Sequence, residues 1–194
     1  LGGSSSLCAI RDGKSVDTTM GFSPQSGILH STRCETIDPF VVLFAEKSLG
    51  YSADDLISIF CKKSGLAGIS GTSGDMRDLW SAAEAGSREA VLALEVFYYQ
   101  VRREIAAMAA SLQGLQAIIF TGGIGENVYR ERERICAKLG WLNVEIDTEV
   151  NSKAIGVCKK ISTQKSGVEV WVLPTDEELI VGREIFHLLS KKPS

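Results

Sequence analysis

Apolar residues cluster along this chain in short runs and longer stripes, and their spacing predicts an alternation of helices and strands. The run Ala117-Ile118-Ile119-Phe120 reads as a buried strand over 115–120, and Val168–Leu173 as another. Leu7–Ile10 and Ser15–Thr18 read as strands joined at Arg11-Asp12-Gly13-Lys14, where Asp-Gly is a hairpin signal. Helices are expected over Pro39–Leu49, with proline in the first turn, and from a Ser52 cap to about Lys62. Further helices are expected over Asp75–Ala85, Ser87–Leu112, 127–139, 148–154 and 176–190. The long one is rich in alanine and apolar residues and should be largely buried. A short strand is expected at Val144-Glu145-Ile146. Early strands followed by alternating helices and strands indicate an α/β fold.

Composition narrows the class. The 194 residues suit one domain with a sizeable core, and 44% hydrophobic against 23% charged residues is ordinary for a soluble globular protein. A net charge of -3 argues against a nucleic-acid partner, and no apolar run approaches the roughly 20 residues needed to span a bilayer. Cys8, Cys34, Cys61, Cys136 and Cys158 are odd in number and scattered, which suits a reducing cytoplasm and offers no structural zinc site.

The chemistry concentrates at two strand-to-helix junctions. Gly122-Gly123-Ile124-Gly125-Glu126-Asn127 follows a strand and precedes a helix, an arrangement that lets backbone approach a nucleotide closely. It is not the dinucleotide fingerprint, because Gly123-x-Gly125 lacks the third glycine. At the second junction, Pro174-Thr175-Asp176 ends a strand and Glu177-Glu178 opens a helix. Thr175 or Asp176 is a natural N-cap, and acids fit the first turn for that reason alone.

Five ordered motifs together resemble the acetate kinase family of ATP-dependent acyl kinases. Ser15–Pro24 looks like the family's S-V-D-T-S-M-G-F-T-P, and Gly27–Pro39 like its G-L-M-M-G-T-R-S-G-D-I-D-P. Gly68–Asp78 resembles G-I-S-G-x-S-x-D-x-R-D, and Phe120–Asn127 and Pro174–Glu178 match the remaining signatures. The resemblance implies a ribonuclease H-like domain of the actin, Hsp70 and sugar kinase type, with a mixed sheet flanked by helices. It implies that residues 1–194 correspond to the family's C-terminal, nucleotide-binding half. Leu1 then enters an H-L-G-N-G-A-S motif one residue late, and helix 176–190 packs toward the other half.

The resemblance also assigns roles. Gly2, Gly3 and Ser4 cradle phosphates. Asp75, Met76 and Arg77 contact nucleotide from one side, and Gly123, Ile124, Gly125, Glu126 and Asn127 from the other. Arg33 is catalytic, its planar fork matching carboxylate or phosphate. Glu177 holds Mg²⁺, while Glu178 belongs to the helix surface. ATP and ADP are the nucleotide partners, with a short-chain carboxylate or its acyl phosphate as the other substrate and a homodimer as the assembly. Gly123 leaves room for an adenosine, which favours ATP over pyrophosphate. Departures lie near Arg33, where the family's S-G-D is Cys34-Glu35-Thr36; a lost glycine at positive φ would force a new loop path at Glu35. The implied reaction is reversible phosphoryl transfer from ATP to acetate or a close relative. The alternative is a degenerate, non-catalytic nucleotide-binding or dimerisation module.

Overall fold

Local signals explain most of the elements. The structure is a computed structural model that describes residues 1–190. Strands β1 (Cys8–Arg11) and β2 (Lys14–Thr18) form an antiparallel hairpin whose turn places Asp12 and Gly13 at positive φ. Helix α1 (Pro39–Leu49) starts at Asp38, whose side chain accepts from the Phe40 amide, and ends at Gly50 in the left-handed region. Helix α2 (Ala53–Lys62) opens with a full capping box: Ser52 and Asp55 each accept the other's backbone amide. A short helix α3 (Gly65–Ser70) follows, then α4 (Met76–Glu84), capped by Asp75, and α5 (Arg88–Leu112), capped by Ser87.

Helix α5 is the axis of the core. Its Ala90, Ala93, Leu94, Phe97, Tyr98, Val101, Ile105 and Met108 are buried among side chains of α3, α4, the hairpin and the helix α7 (Tyr129–Cys136). Beyond it lies a three-stranded mixed sheet in the order β3 (Ala117–Phe120), β5 (Glu169–Val172), β4 (Lys159–Lys160). β3 and β5 run parallel with Ile118 opposite Val170; β4 is antiparallel to β5. Parallel neighbours need a crossover, here supplied by α6 (Gly122–Asn127), α7 and α8 (Thr148–Lys153).

Four expectations change. The helix expected over 127–139 is shorter, α7 alone, and begins only at Tyr129 because Val128 adopts an extended conformation between α6 and α7. The glycine turn is itself helical from Gly122. The expected strand at 144–146 reduces to a single bridge between Ile146 and Ser162. Helix α3 and strand β4 were not expected. The last helix, α9 (Glu177–Ser190), begins as foreseen, with Asp176 Oδ1 accepting the Leu179 amide at 2.8 Å. It leaves Ile180, Val181, Phe186, Leu188 and Leu189 more than half exposed.

Candidate functional site

The N-terminal segment organises the site by touching two motifs at once. The Leu1 carbonyl accepts the amides of Ile124 (2.9 Å) and Gly125 (3.1 Å). Gly3 accepts the Ser31 amide at 3.0 Å, and the Ser5 amide donates to His30 Nδ1 at 2.8 Å. Residues 1–5 therefore bridge the glycine turn and the loop that carries Arg33. Gly2 and Ser5 close a small turn on themselves, the Ser5 hydroxyl bonding both the amide and the carbonyl of Gly2. Among the described residues, the exposed amides of Gly3 and Ser4 donate to nothing in the chain. Free backbone donors side by side suit an anion.

The Arg33 loop is held from beneath by α3. Leu66 and Ala67 donate to the carbonyls of His30 and Ser31, and Ser64 to that of Thr32. This closeness depends on two glycines. A Cβ on Gly65 would lie 2.3 Å from the His30 carbonyl oxygen, and one on Gly74 the same distance from that of Ser31; both have positive φ. Arg33 is half-buried, and its guanidinium makes no hydrogen bond or ion pair among the described residues. Its charge is felt by His30: burial first, and then Arg33, pushes the imidazole down from its ordinary value. Glu35 has no positive φ, so the lost glycine leaves no backbone strain there.

Gly74 leads directly into one wall of the site. Asp75 caps α4 by accepting the Arg77 amide at 2.8 Å, and its carboxylate is gripped by the Arg77 guanidinium at 3.0 and 2.7 Å. The side-chain and amide bonds from Arg77 bring the Asp75 carboxyl down to about 2. Both charges face outward. Met76 does not: it is 4% exposed and packs in the core, so only its backbone reaches the wall.

The opposite wall is α6. Gly123 is exposed, with open space where a Cβ would stand, whereas Gly125 is buried against Phe120. Ile124 packs against the core. Asn127 turns its amide back to the Gly123 carbonyl at 3.0 Å. The turn's amides are not free donors, as the sequence suggested; Gly122, Ile124 and Gly125 already donate to Glu126 or Leu1. Glu126 serves the chain itself. Its Oε1 accepts the Gly122 amide, the Thr121 hydroxyl, and both the amide and hydroxyl of Thr175. Burial pushes this carboxyl up, but those donors outweigh it and hold it below its ordinary value. The segment carrying Asp176 and Glu177 is thereby tied to the glycine turn. The Glu177 side chain lies outside the described residues, and Glu178 is exposed.

Two buried side chains support the walls, and neither stood out in the sequence. Arg132 is fully buried, and its five N–H donors make five bonds: to Asn151 Oδ1 and the carbonyls of Gly125, Glu126, Asn151 and Ala154, at 2.6–3.1 Å. It fixes the C-terminal end of α6. Glu131, also fully buried, accepts the Trp80 indole N–H at 2.6 Å and so joins α7 to α4 under the site. Burial pushes its carboxyl up. Tyr129-Arg130-Glu131-Arg132-Glu133-Arg134 reads as a solvated charged face, and no periodic signal marks the two buried members.

The convergence of four of the five motifs on one site has a counterpart in known proteins. The Acetokinase family profile matches residues 1–183. The chain belongs to this family. It is 48% identical over 191 residues to the acetate kinase of Clostridium botulinum strain Langeland, covering 98% of this chain and 48% of that protein. The solved acetate kinase of Porphyromonas gingivalis superposes with a TM-score of 0.91 at 34% identity, over 97% of this chain and 47% of that one. A propionate kinase from Francisella tularensis gives 0.88 at 37%, over 95% and 47%. The fold is that of the actin, Hsp70 and sugar kinase type, and the chain spans about half the length of the curated relatives it matches.

Proposed function

We propose that this chain forms the nucleotide-binding part of an ATP-dependent kinase that phosphorylates a short-chain carboxylate reversibly, acetate first, giving acyl phosphate and ADP. The reading is carried by the way residues 1–5 tie the Arg33 loop to the glycine turn, with the Asp75–Arg77 wall alongside. The open amides of Gly3 and Ser4 face phosphate. The exposed edge at Gly123 and the outward charges of Asp75 and Arg77 flank nucleoside. Arg33, whose guanidinium has no partner among the described residues, is available to neutralise the transferring phosphoryl group, a role worth about 10³ to 10⁵ in rate for finger-like arginines.

Magnesium bridges the phosphates in such transfers and takes one or two carboxylates beside several waters. Among the described residues no cluster of three acidic, histidine or cysteine side chains forms a protein cage. A single carboxylate at Glu177, on a segment anchored by Glu126, fits a metal held mainly by substrate.

The remaining assignments follow the same reading. The full-length partner of this region supplies the rest of the catalytic groups, α9 packs against it, and residues 1–194 alone bind nucleotide weakly and turn nothing over. The five thiols, all free, accord with a cytoplasmic setting. The exposed Val91, Leu92 and Tyr99 of α5 offer apolar surface for a homodimer.

The test is acyl hydroxamate formation from ATP, Mg²⁺ and acetate, propionate or butyrate, using protein at the family's full length. Turnover lost on Arg33→Ala supports the reading. Tight MgATP binding without turnover on any of the three acids replaces it with a non-catalytic nucleotide-binding module.

A further inference from the structure

We propose that Cys34 and Cys61 are a redox-active thiol pair whose oxidation to a disulfide locks the Arg33 loop. The observation is geometric. The Cys34 amide donates to the Phe60 carbonyl at 2.9 Å, and Cys61 is the next residue. That bond, the N–Cα bond and the span from a carbonyl oxygen to the following Cα together hold the two Cα atoms within about 7 Å, the upper limit for an extended path. Disulfides bridge Cα atoms about 4.4–6.8 Å apart. The Thr32 hydroxyl meets the Cys61 carbonyl at 3.3 Å, so the loop runs alongside the last turn of α2 on both sides of Arg33.

Cys61 lies near enough to act on the Cys34 sulfur. Burial raises the Cys34 thiol above its ordinary value, and the neighbouring Cys61 raises it further. Both thiols are half-buried and free, so a small reagent reaches them. The pair also accounts for a departure that the acyl kinase motif left unexplained: Cys34 stands where the family carries serine.

The oxidant is a low-molecular-weight disulfide such as oxidised glutathione. One cysteine thiolate attacks it, forming a mixed disulfide and expelling one glutathione thiolate. The second cysteine then attacks the protein sulfur of that mixed disulfide and expels the other. Two protein thiols are oxidised, and one glutathione disulfide is reduced to two thiols. The new bond constrains the backbone one residue from Arg33. The bonds from α3 hold the carbonyls of His30, Ser31 and Thr32, whereas the Arg33 carbonyl is met by a long 3.4 Å bond from the His30 amide, so a pull on Cys34 falls on the most loosely held residue of the turn.

The cross-link itself stands without the kinase reading; its effect on turnover rests on it. The native chain is treated with oxidised glutathione and mapped without reduction. The expected product has lost two hydrogens and links the Cys34 and Cys61 peptides, and Cys34→Ser and Cys61→Ser each abolish it. Persistent glutathione adducts, no reaction, or linkage to Cys8, Cys136 or Cys158 would overturn the pair. In protein at the family's full length, oxidation is expected to lower turnover about tenfold or more, as loss of aim of a catalytic group does, with recovery in dithiothreitol. Cys34→Ser should keep the basal rate and ignore the oxidant. A cross-link that leaves turnover unchanged removes the link to Arg33. A protein that cross-links but phosphorylates no carboxylate leaves the pair intact and refutes the kinase reading instead.

Discussion

Thr175 bonds Glu126 twice, through its amide and its hydroxyl, each at 3.0 Å from the same carboxylate oxygen. This contact spans 49 residues and decides where the start of α9 lies relative to the glycine turn. Replacing Glu126 with alanine leaves the Gly122 and Thr175 amides without their acceptor. The expected cost is about 1–3 kcal/mol of stability by urea denaturation, with weaker Mg²⁺-dependent nucleotide binding by calorimetry. The carboxyl is held below its ordinary value, so its contribution is present above pH 4.5 and is lost as pH falls through its lower folded value. A Glu126→Gln variant should lack that acid step. An unchanged step would show that the bonds to Thr175 and Gly122 do not set the carboxyl's acidity.

Gly74 and Gly71 form a matched pair for testing the Arg33 loop. Both have positive φ, but a Cβ on Gly71 meets open space whereas one on Gly74 strikes the Ser31 carbonyl. Gly71→Ala should cost about 1 kcal/mol for backbone strain alone. Gly74→Ala should cost roughly 2–4 kcal/mol and displace Ser31 and Arg33 with it. Thermal melts read the first difference and turnover of the full-length protein the second. Equal effects from the two substitutions would show that the close approach is not required.

Arg132 provides a buried charge that pairs with no carboxylate among the described residues. Arg132→Met strands four carbonyls and the Asn151 side chain, and is expected to destabilise by roughly 3–5 kcal/mol. Arg132→Lys keeps the charge but has three donors for five positions. It should recover part of the stability while leaving nucleotide affinity low, because the end of α6 loses its fixed carbonyls. Urea midpoints and nucleotide titrations together separate the two effects.

His30 makes the loop sensitive to acid. Its Nδ1 accepts the Ser5 amide, so protonation breaks that bond and sets a second cation near Arg33. Its folded value lies below the ordinary 6.5, so stability is complete above 6.5 and falls as pH drops below it. The unfolded chain takes up the proton first. His30→Asn retains an acceptor for Ser5 and does not titrate, and should flatten the stability profile below pH 6.5. A profile with the same slope in the variant would assign the loss to another group.

Where a residue's local role was also its structural role, the sequence was legible. Ser52 with Asp55, Pro39, Asp12-Gly13 and Asp176 each settle their own turn or cap through bonds within a few residues, and the elements beginning there appear where expected. The break at Val128 was not legible, because valine is compatible with helix or extended backbone and no local capping residue marks the start of α7. Helix α3 was hidden by its glycines, which look like loop residues until the loop above them is seen to need the room. Glu131 and Arg132 sit in a run of alternating charge whose inward members are identified only by Trp80, Asn151 and the carbonyls of α6. Met76 shared a motif with two outward charges but belongs to the core. Composition of a motif names its chemistry; the third dimension decides which members face the ligand.

Trp80 stands where α4 meets α7, its indole N–H on Glu131 and its ring beneath the guanidinium groups of Arg130 and Arg134 at 5.5 and 5.7 Å. An indole excited in such a field emits at a wavelength set by the positions of those charges. Of the chain's other two tryptophans, Trp141 is largely exposed and Trp171 bonds Glu169 at the sheet, away from α4 and α7. The protein thus carries its own fluorophore at the joint between α4 and α7, beneath the site, and any change in their spacing is written into the colour of its light.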